Sequence, residues 1–216
     1  MDADDWDRRY AASSLVWSSG PNAVVAAETA DLPPGVAVDL AAGEGRNAIW
    51  LAERGWRVTA VDFSATATRR TTELAAQRLG ADADRLSAVT ADLGGWAPPP
   101  PVDLAVLAYL QVPADLRRRV HRAAAEALAP GGTFLLVAHH RDNLEHGVGG
   151  PQDPTVLFTA DDVVADLQGS GLHVDRAERV ERQVGDEQLG HGAAATGPRP
   201  ALDVIVRAHR PHPGDA

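Results

Sequence analysis

The chain has 216 residues, 44% of them hydrophobic and 23% charged, and its 30 acidic and 20 basic side chains leave a net charge of −10. It contains no cysteine, which excludes disulfides, thiolate metal sites and a cysteine nucleophile. Every basic residue is arginine, and the acidic excess argues against nucleic acid or an anionic membrane as partner, since their phosphates would be repelled.

At roughly 100–200 residues per domain, the length fits a single domain with a core large enough to need no cross-links. No apolar run reaches the ~20 residues of a membrane span. The acidic stretch Met1–Tyr10 lacks the basic-then-apolar pattern of a signal peptide, so the expectation is a cytoplasmic protein. The N-terminal aromatic residues Trp6, Tyr10 and Trp17 precede the first strand candidate. Residues 1–30 are read as a lid that excludes water from a cleft, with packing of these rings against the back of the sheet as the equal alternative, and residues 31–210 as the core.

From there short apolar runs alternate with helical patterns. Val36–Leu40, Arg57–Asp62, Leu86–Ala91, Asp103–Leu107 and Thr133–Ala138 read as strands buried on both faces of a parallel sheet. Ala48, Leu51 and Ala52 mark a helix that Gly55 stops. Ser64 caps a second helix running to about Leu79, and Leu116, Val120, Ala123 and Ala127 line one face of a third. Arg117, Arg118, Arg119 and Arg122 on that helix read as a solvated surface. Pro130-Gly131-Gly132 ends it. Residues 141–158 form a loop long enough to raise a functional question, with Asn143, Glu145 and His146 available to a polar substrate. A helix near Thr159–Ser170 follows, then strands near His173–Glu181 and Ala201–Ala208, joined by the glycine-rich stretch Gly185–Gly197, which reads as mobile. Two successive strands with no helix between them must form a hairpin, so one runs antiparallel. The fold class is α/β, a doubly wound, mostly parallel sheet with a C-terminal antiparallel hairpin.

The most informative stretch is VAVDLAAGEGRNAIWLAERGWRVTAVDFS, Val36 to Ser64. Its glycines let the backbone turn sharply and approach a ligand, and the helix behind them offers free N–H groups to an anionic part of it. Asp62 closes the second strand, where a carboxylate can accept from ribose hydroxyls. Two cofactors fit. Gly43, Gly45 and Ala48 satisfy G-x-G-x-x-G/A, the signature of a nicotinamide dinucleotide. Asp39, however, four residues before Gly43, would repel a pyrophosphate and favour a cation, and S-adenosylmethionine carries a sulfonium and an ammonium. Asp92, after the third strand, could accept from an adenine amino group.

With these features together, the sequence resembles the class I S-adenosylmethionine-dependent methyltransferases, and GEGRNAIWLAERGWRVTAVDFS is similar to their small tellurite-resistance and thiopurine-type branch. Ala41 and Ala42 stand where that family commonly has Gly-Cys. The resemblance implies a seven-stranded Rossmann-like sheet and a donor site made by Trp17, Asp39, Ala41, Gly43, Gly45, Arg46, Asn47, Asp62, Phe63, Asp92, Leu93 and Leu107. It implies in-line methyl transfer to a small-molecule acceptor facing Ala108–Gln111. Soft nucleophiles such as thiols are favoured by analogy, and oxygen or nitrogen acceptors stay open. A thiol needs no base, whereas an oxygen or nitrogen acceptor benefits from one. The candidate catalytic residues are His139, His140 and Tyr109, with His146 further off. Strand capping is the plainer reading of the two adjacent histidines. As neighbours on a strand they point to opposite faces and cannot easily share a metal ion, so no metal is expected. A dinucleotide oxidoreductase and a non-catalytic binding module are the alternatives. A homodimer is left open.

Overall fold

A computed structural model describes residues 7–8, 20–99, 101–183 and 200–214. The elements follow in the order α1 (Ala23–Thr29), β1 (Val36–Leu40), α2 (Arg46–Glu53), β2 (Arg57–Asp62), α3 (Ala65–Leu79), β3 (Leu86–Thr90), β4 (Val102–Ala108), α4 (Ala114–Ala127), β5 (Leu128–His139), α5 (Asn143–His146), α6 (Ala160–Asp166), β6 (His173–Arg182) and β7 (Ala201–His209). Seven strands form one sheet in the order β3-β2-β1-β4-β5-β7-β6. The first five run parallel, and β7 is antiparallel to both of its neighbours. Chain direction therefore places the carboxyl ends of β1 to β6 and the start of β7 along one edge, where open α/β sheets bind ligands.

Side-chain alternation divides the core into two layers. Val25 of α1 and Ala48 and Leu51 of α2 pack with Trp56 against Ala37, Val58, Leu104, Val106, Leu135, Val137 and Ile205. On the other face, Val120 and Ala124 of α4 and Val163 of α6 pack against Val38, Leu40, Ala105, Leu107, Phe134, Leu136, Val204 and Val206. The helix starts follow from their caps. Asn22 accepts from Val24 and Val25 N–H, Ser64 from Ala67 N–H, and Thr159 forms a reciprocal capping box with Asp162.

Three differences from the sequence reading have simple causes. β5 begins at Leu128, not Thr133, because α4 passes directly into an extended backbone, and a register shift against β4 absorbs Pro130–Gly132. The 141–158 loop holds α5 and a single 3-10 turn at Pro154–Val156. Arg117 is buried, not solvated: its Nε lies 2.7 Å from Asp166 Oδ2, beside the buried His121. Arg118, Arg119 and Arg122 do lie exposed. Trp6, Tyr10, Trp17 and Gly185–Gly197 lie outside the described residues. Residues 22–29 are packed on the sheet, with Val25 fully buried. Among the described residues no helix is long and apolar enough to cross a membrane.

Candidate active site

The loop after β1 is held from several sides. Asp62 Oδ2 accepts from Gly43 N–H at 2.8 Å, and its Oδ1 accepts from Ser64 N–H at 2.9 Å. The Ala42 N–H donates to Val61 O, and the Thr71 hydroxyl lies 3.0 Å from Gly43 O. Gly45, at φ 77°, leaves no room for a side chain, since a Cβ there would sit 2.4 Å from Thr71 Cγ2. Glu44 pairs with Arg70 at 2.7 Å. Ala41, by contrast, adopts φ 62°, a left-handed conformation that costs an L-residue roughly 1–2 kcal/mol. Strain of this kind collects at functional sites. The N-cap of α2 is Gly45, which supplies no capping side chain.

Behind this loop stands Asp39, completely buried, with no side-chain hydrogen bond to either carboxylate oxygen. Burial pushes its pKa up to about 7, while the Ala48 backbone N–H and then Arg46 favour the charged form. Burial also raises Asp62, against the pull of its backbone hydrogen bonds. A buried carboxylate without a partner is costly, and a cation placed against it would remove that cost. This donor set fits the sulfonium- and ammonium-bearing S-adenosylmethionine better than a pyrophosphate.

Along the rim, Phe63 is 38% exposed, one of only two large apolar side chains so displayed among the described residues. Asp92 is exposed, and its Oδ1 accepts from Gly94 N–H at 2.8 Å. Leu93 and Trp96 are half-buried against the core beside it, and sequence reasoning passed over Trp96.

The other half of the edge lies beyond β4 and β5. Tyr109, at φ 61°, donates its hydroxyl to Asp203 Oδ2 at 2.8 Å, and Arg182 Nε donates to the same oxygen at 2.6 Å. His139 stands directly across the strand pair from Asp203, its Nδ1 3.2 Å from Oδ1. The Tyr109 ring lies 4.9 Å from the imidazole, and the Arg182 guanidinium 5.8 Å from the Tyr109 ring. Asn22 Nδ2 donates to Tyr109 Oη, and Asn22 N–H donates to Asn47 Oδ1. A hydrogen-bonded chain thus runs from the glycine loop to the far rim.

Several expectations are corrected by these positions. Leu107 is fully buried under α4 on the face away from Tyr109 and His139, because one residue of strand register decides the side; Ala108 and Tyr109 take the cleft-side positions. His140 faces away from His139. It is buried, its Nδ1 accepts Asp142 N–H at 3.0 Å, and burial lowers its pKa, so it is a neutral ring closing a turn. Burial and then Asp203 raise the pKa of Tyr109, whose hydroxyl donates to Asp203. Asn143 is saturated, accepting from Leu202 N–H and donating to Gly149 O, whereas Glu145 and His146 are exposed. Asn47 spends its carbonyl on Asn22. Asp203 and Arg182 were not anticipated. Their one sequence signal is an aspartate inside an apolar terminal strand.

Residues 37–132 match the family described as Methyltransferase domain. That stretch holds the glycine loop together with Asp39, Asp62 and Asp92. A curated relative, ribosomal RNA small subunit methyltransferase C of Alcanivorax borkumensis, is 32% identical over 112 residues. That match takes in 49% of this chain and 33% of the relative, so the chain spans about a third of the length of the relative it matches. Solved structures share the methyltransferase fold over nearly the whole chain. One is described as converting a disulfide bond into a thioacetal group during echinomycin biosynthesis (TM-score 0.72, 20% identity, 99% of this chain and 93% of the other). TehB from Haemophilus influenzae gives a TM-score of 0.70 at 15% identity over 97% of this chain and 68% of its own. The glycopeptide N-methyltransferase MtfA with bound S-adenosylmethionine gives 0.63 at 20%, over 94% and 90%.

Proposed function

We propose that the chain transfers the methyl group of S-adenosylmethionine to a nucleophilic atom of a small molecule. The observation that carries this reading is the carboxylate of Asp39, fully buried with no side-chain hydrogen bond behind the strapped glycine loop. The donor supplies an electrophilic sulfonium methyl. Asp39 would compensate its positive charge, the loop and the start of α2 would take its carboxylate, and Phe63, Asp62 and Asp92 would border its nucleoside. The tyrosine–histidine end of the cleft would hold the acceptor in line with the methyl. Alignment and exclusion of water of this kind can supply about 7–11 kcal/mol at best. The relatives support methyl transfer but differ in acceptor: a ribosomal RNA methyltransferase, a glycopeptide N-methyltransferase and a protein of echinomycin biosynthesis. The net charge of −10 favours a small molecule over RNA.

Calorimetry tests the proposal. S-adenosylmethionine and S-adenosylhomocysteine are expected to bind and NAD not to, and Asp39→Asn should weaken S-adenosylmethionine at least tenfold at pH 8. Unchanged donor affinity in that variant would refute the reading. Tight binding without transfer to any of a panel of thiols, phenols, amines and heterocycles would mark a binding module.

A further inference from the structure

We propose that His139 removes a proton from the methyl acceptor and that Asp203 is its positioning residue, so the acceptor is a neutral hydroxyl or an amine that must shed a proton rather than a soft anion. This rests on the methyl-transfer reading above and names the acceptor class for the same site.

The geometry separates the two oxygens of Asp203. Oδ2 is taken by the Tyr109 hydroxyl and Arg182 Nε. Oδ1 is buried, has no hydrogen bond, and lies 3.2 Å from His139 Nδ1, tilted off the line of an ideal bond. Such bonds are often loose before substrate arrives and tighten in the reactive complex. A carboxylate beside Nδ1 keeps the proton on that nitrogen and leaves the Nε2 lone pair as acceptor. Burial alone would raise Asp203, but His139 and Arg182 hold its pKa below the ordinary range, so it stays ionised. The ionisable groups beside the imidazole are thus Asp203 from β7 and Tyr109 just beyond β4, with Arg182 from β6 against both of these.

The ring is also covered. Gly150, at φ 77°, lies so close that a Cβ on it would fall 2.6 Å from His139 Cδ2 and 2.9 Å from Nε2, so the glycine is what leaves Nε2 unobstructed on that side. Asn143 pins this segment through Gly149 O, and Gln111 Nε2 lies within 3.5 Å of both His139 O and Val156 O. A solvated, strand-capping histidine needs neither a dedicated buried carboxylate nor a glycine shaped to its ring. In the step itself, Nε2 takes the proton of the acceptor X–H, X forms its bond to the methyl carbon, and the carbon–sulfur pair returns to sulfur. Imidazolium then releases the proton to solvent.

The test has two arms. In the first, the His139 ring of histidine-labelled protein is followed by NMR with S-adenosylhomocysteine present. Asp203→Asn should shift the proton from Nδ1 towards Nε2. An unchanged tautomer overturns the proposal, whatever the acceptor. In the second, phenols, catechols, primary amines, thiols and hydrogen selenide are compared. His139→Gln should lower kcat about 100-fold or more on the phenols and amines, with recovery at high pH as the acceptor loses its proton unaided. Equal rates of wild type and His139→Gln on every acceptor turned over would overturn it. S-adenosylhomocysteine binding, measured alongside, tells failure of this proposal from failure of the methyl-transfer reading.

Discussion

Asp39 sets function against stability at a single residue. Its pKa is raised to about 7 by burial, so the empty fold takes up a proton that the unfolded chain, near 3.8, does not. Stability is therefore full below the unfolded value and declines as pH rises to about 7, where the buried carboxylate ionises. Asp39→Asn keeps the shape and removes the titration. The variant should equal the wild type in urea denaturation near pH 4 and exceed it at pH 8, by at most about 4 kcal/mol, even as it loses donor affinity. A wild type as stable as the variant at pH 8 would mean that the carboxylate is compensated within the fold. The acid could be placed at a strand end from sequence, but its isolation could not. Which neighbours reach a side chain depends on packing from α2, β2 and β4, none of which the local pattern encodes. The positive φ of Ala41 and Tyr109 was equally hidden, because alanine and tyrosine give no local signal for a left-handed backbone.

Elements were easier to read than contacts between them. β1 and β2 lie where the apolar runs place them, and the Ser64 and Thr159 caps hold, since hydrophobic periodicity and capping chemistry are local. Asp203, Arg182 and Leu107 went unplaced or misplaced because register between distant strands is tertiary: Tyr109 and Asp203 meet across 94 residues. The 141–158 segment shows the same limit, for Asn143 looked like a substrate contact and is a brace between α5, β7 and Gly149. Removing that brace leaves the buried Leu202 N–H unsatisfied, at about 1–3 kcal/mol. Asn143→Ala should therefore lower the denaturation midpoint and speed amide exchange at Val148–Gly150, while β1 to β4 keep their protection. If exchange rose equally throughout the sheet, the segment would be no independent unit.

At the scale of the whole molecule, the two faces of the sheet divide the work. The polar chain from Asn47 through Asn22 and Tyr109 to Asp203 serves the cleft, and α4 and α6 on the opposite face are locked by charge. There Asp166 lies between Arg117 Nε at 2.7 Å and His121 Nδ1 at 3.1 Å, with all three side chains buried. Burial would raise the Asp166 carboxyl, but His121 and Arg117 outweigh it and hold its pKa below 3.8, while burial lowers His121 and keeps it neutral. Asp166→Asn leaves the Arg117 charge buried without its counterion, which should cost about 3–5 kcal/mol. Since the folded pKa of Asp166 is depressed, its contribution is present above 3.8 and lost as pH falls through the folded value. The stability gap between wild type and variant should therefore stay constant from pH 8 to pH 5, begin to shrink near the unfolded value of 3.8, and close only as pH falls through the lower folded value, where the wild-type carboxyl becomes neutral. Donor affinity should remain within twofold throughout, because Asp166 braces the face of the sheet away from the cleft. A loss of donor binding in folded Asp166→Asn would show that the two faces are coupled through the sheet.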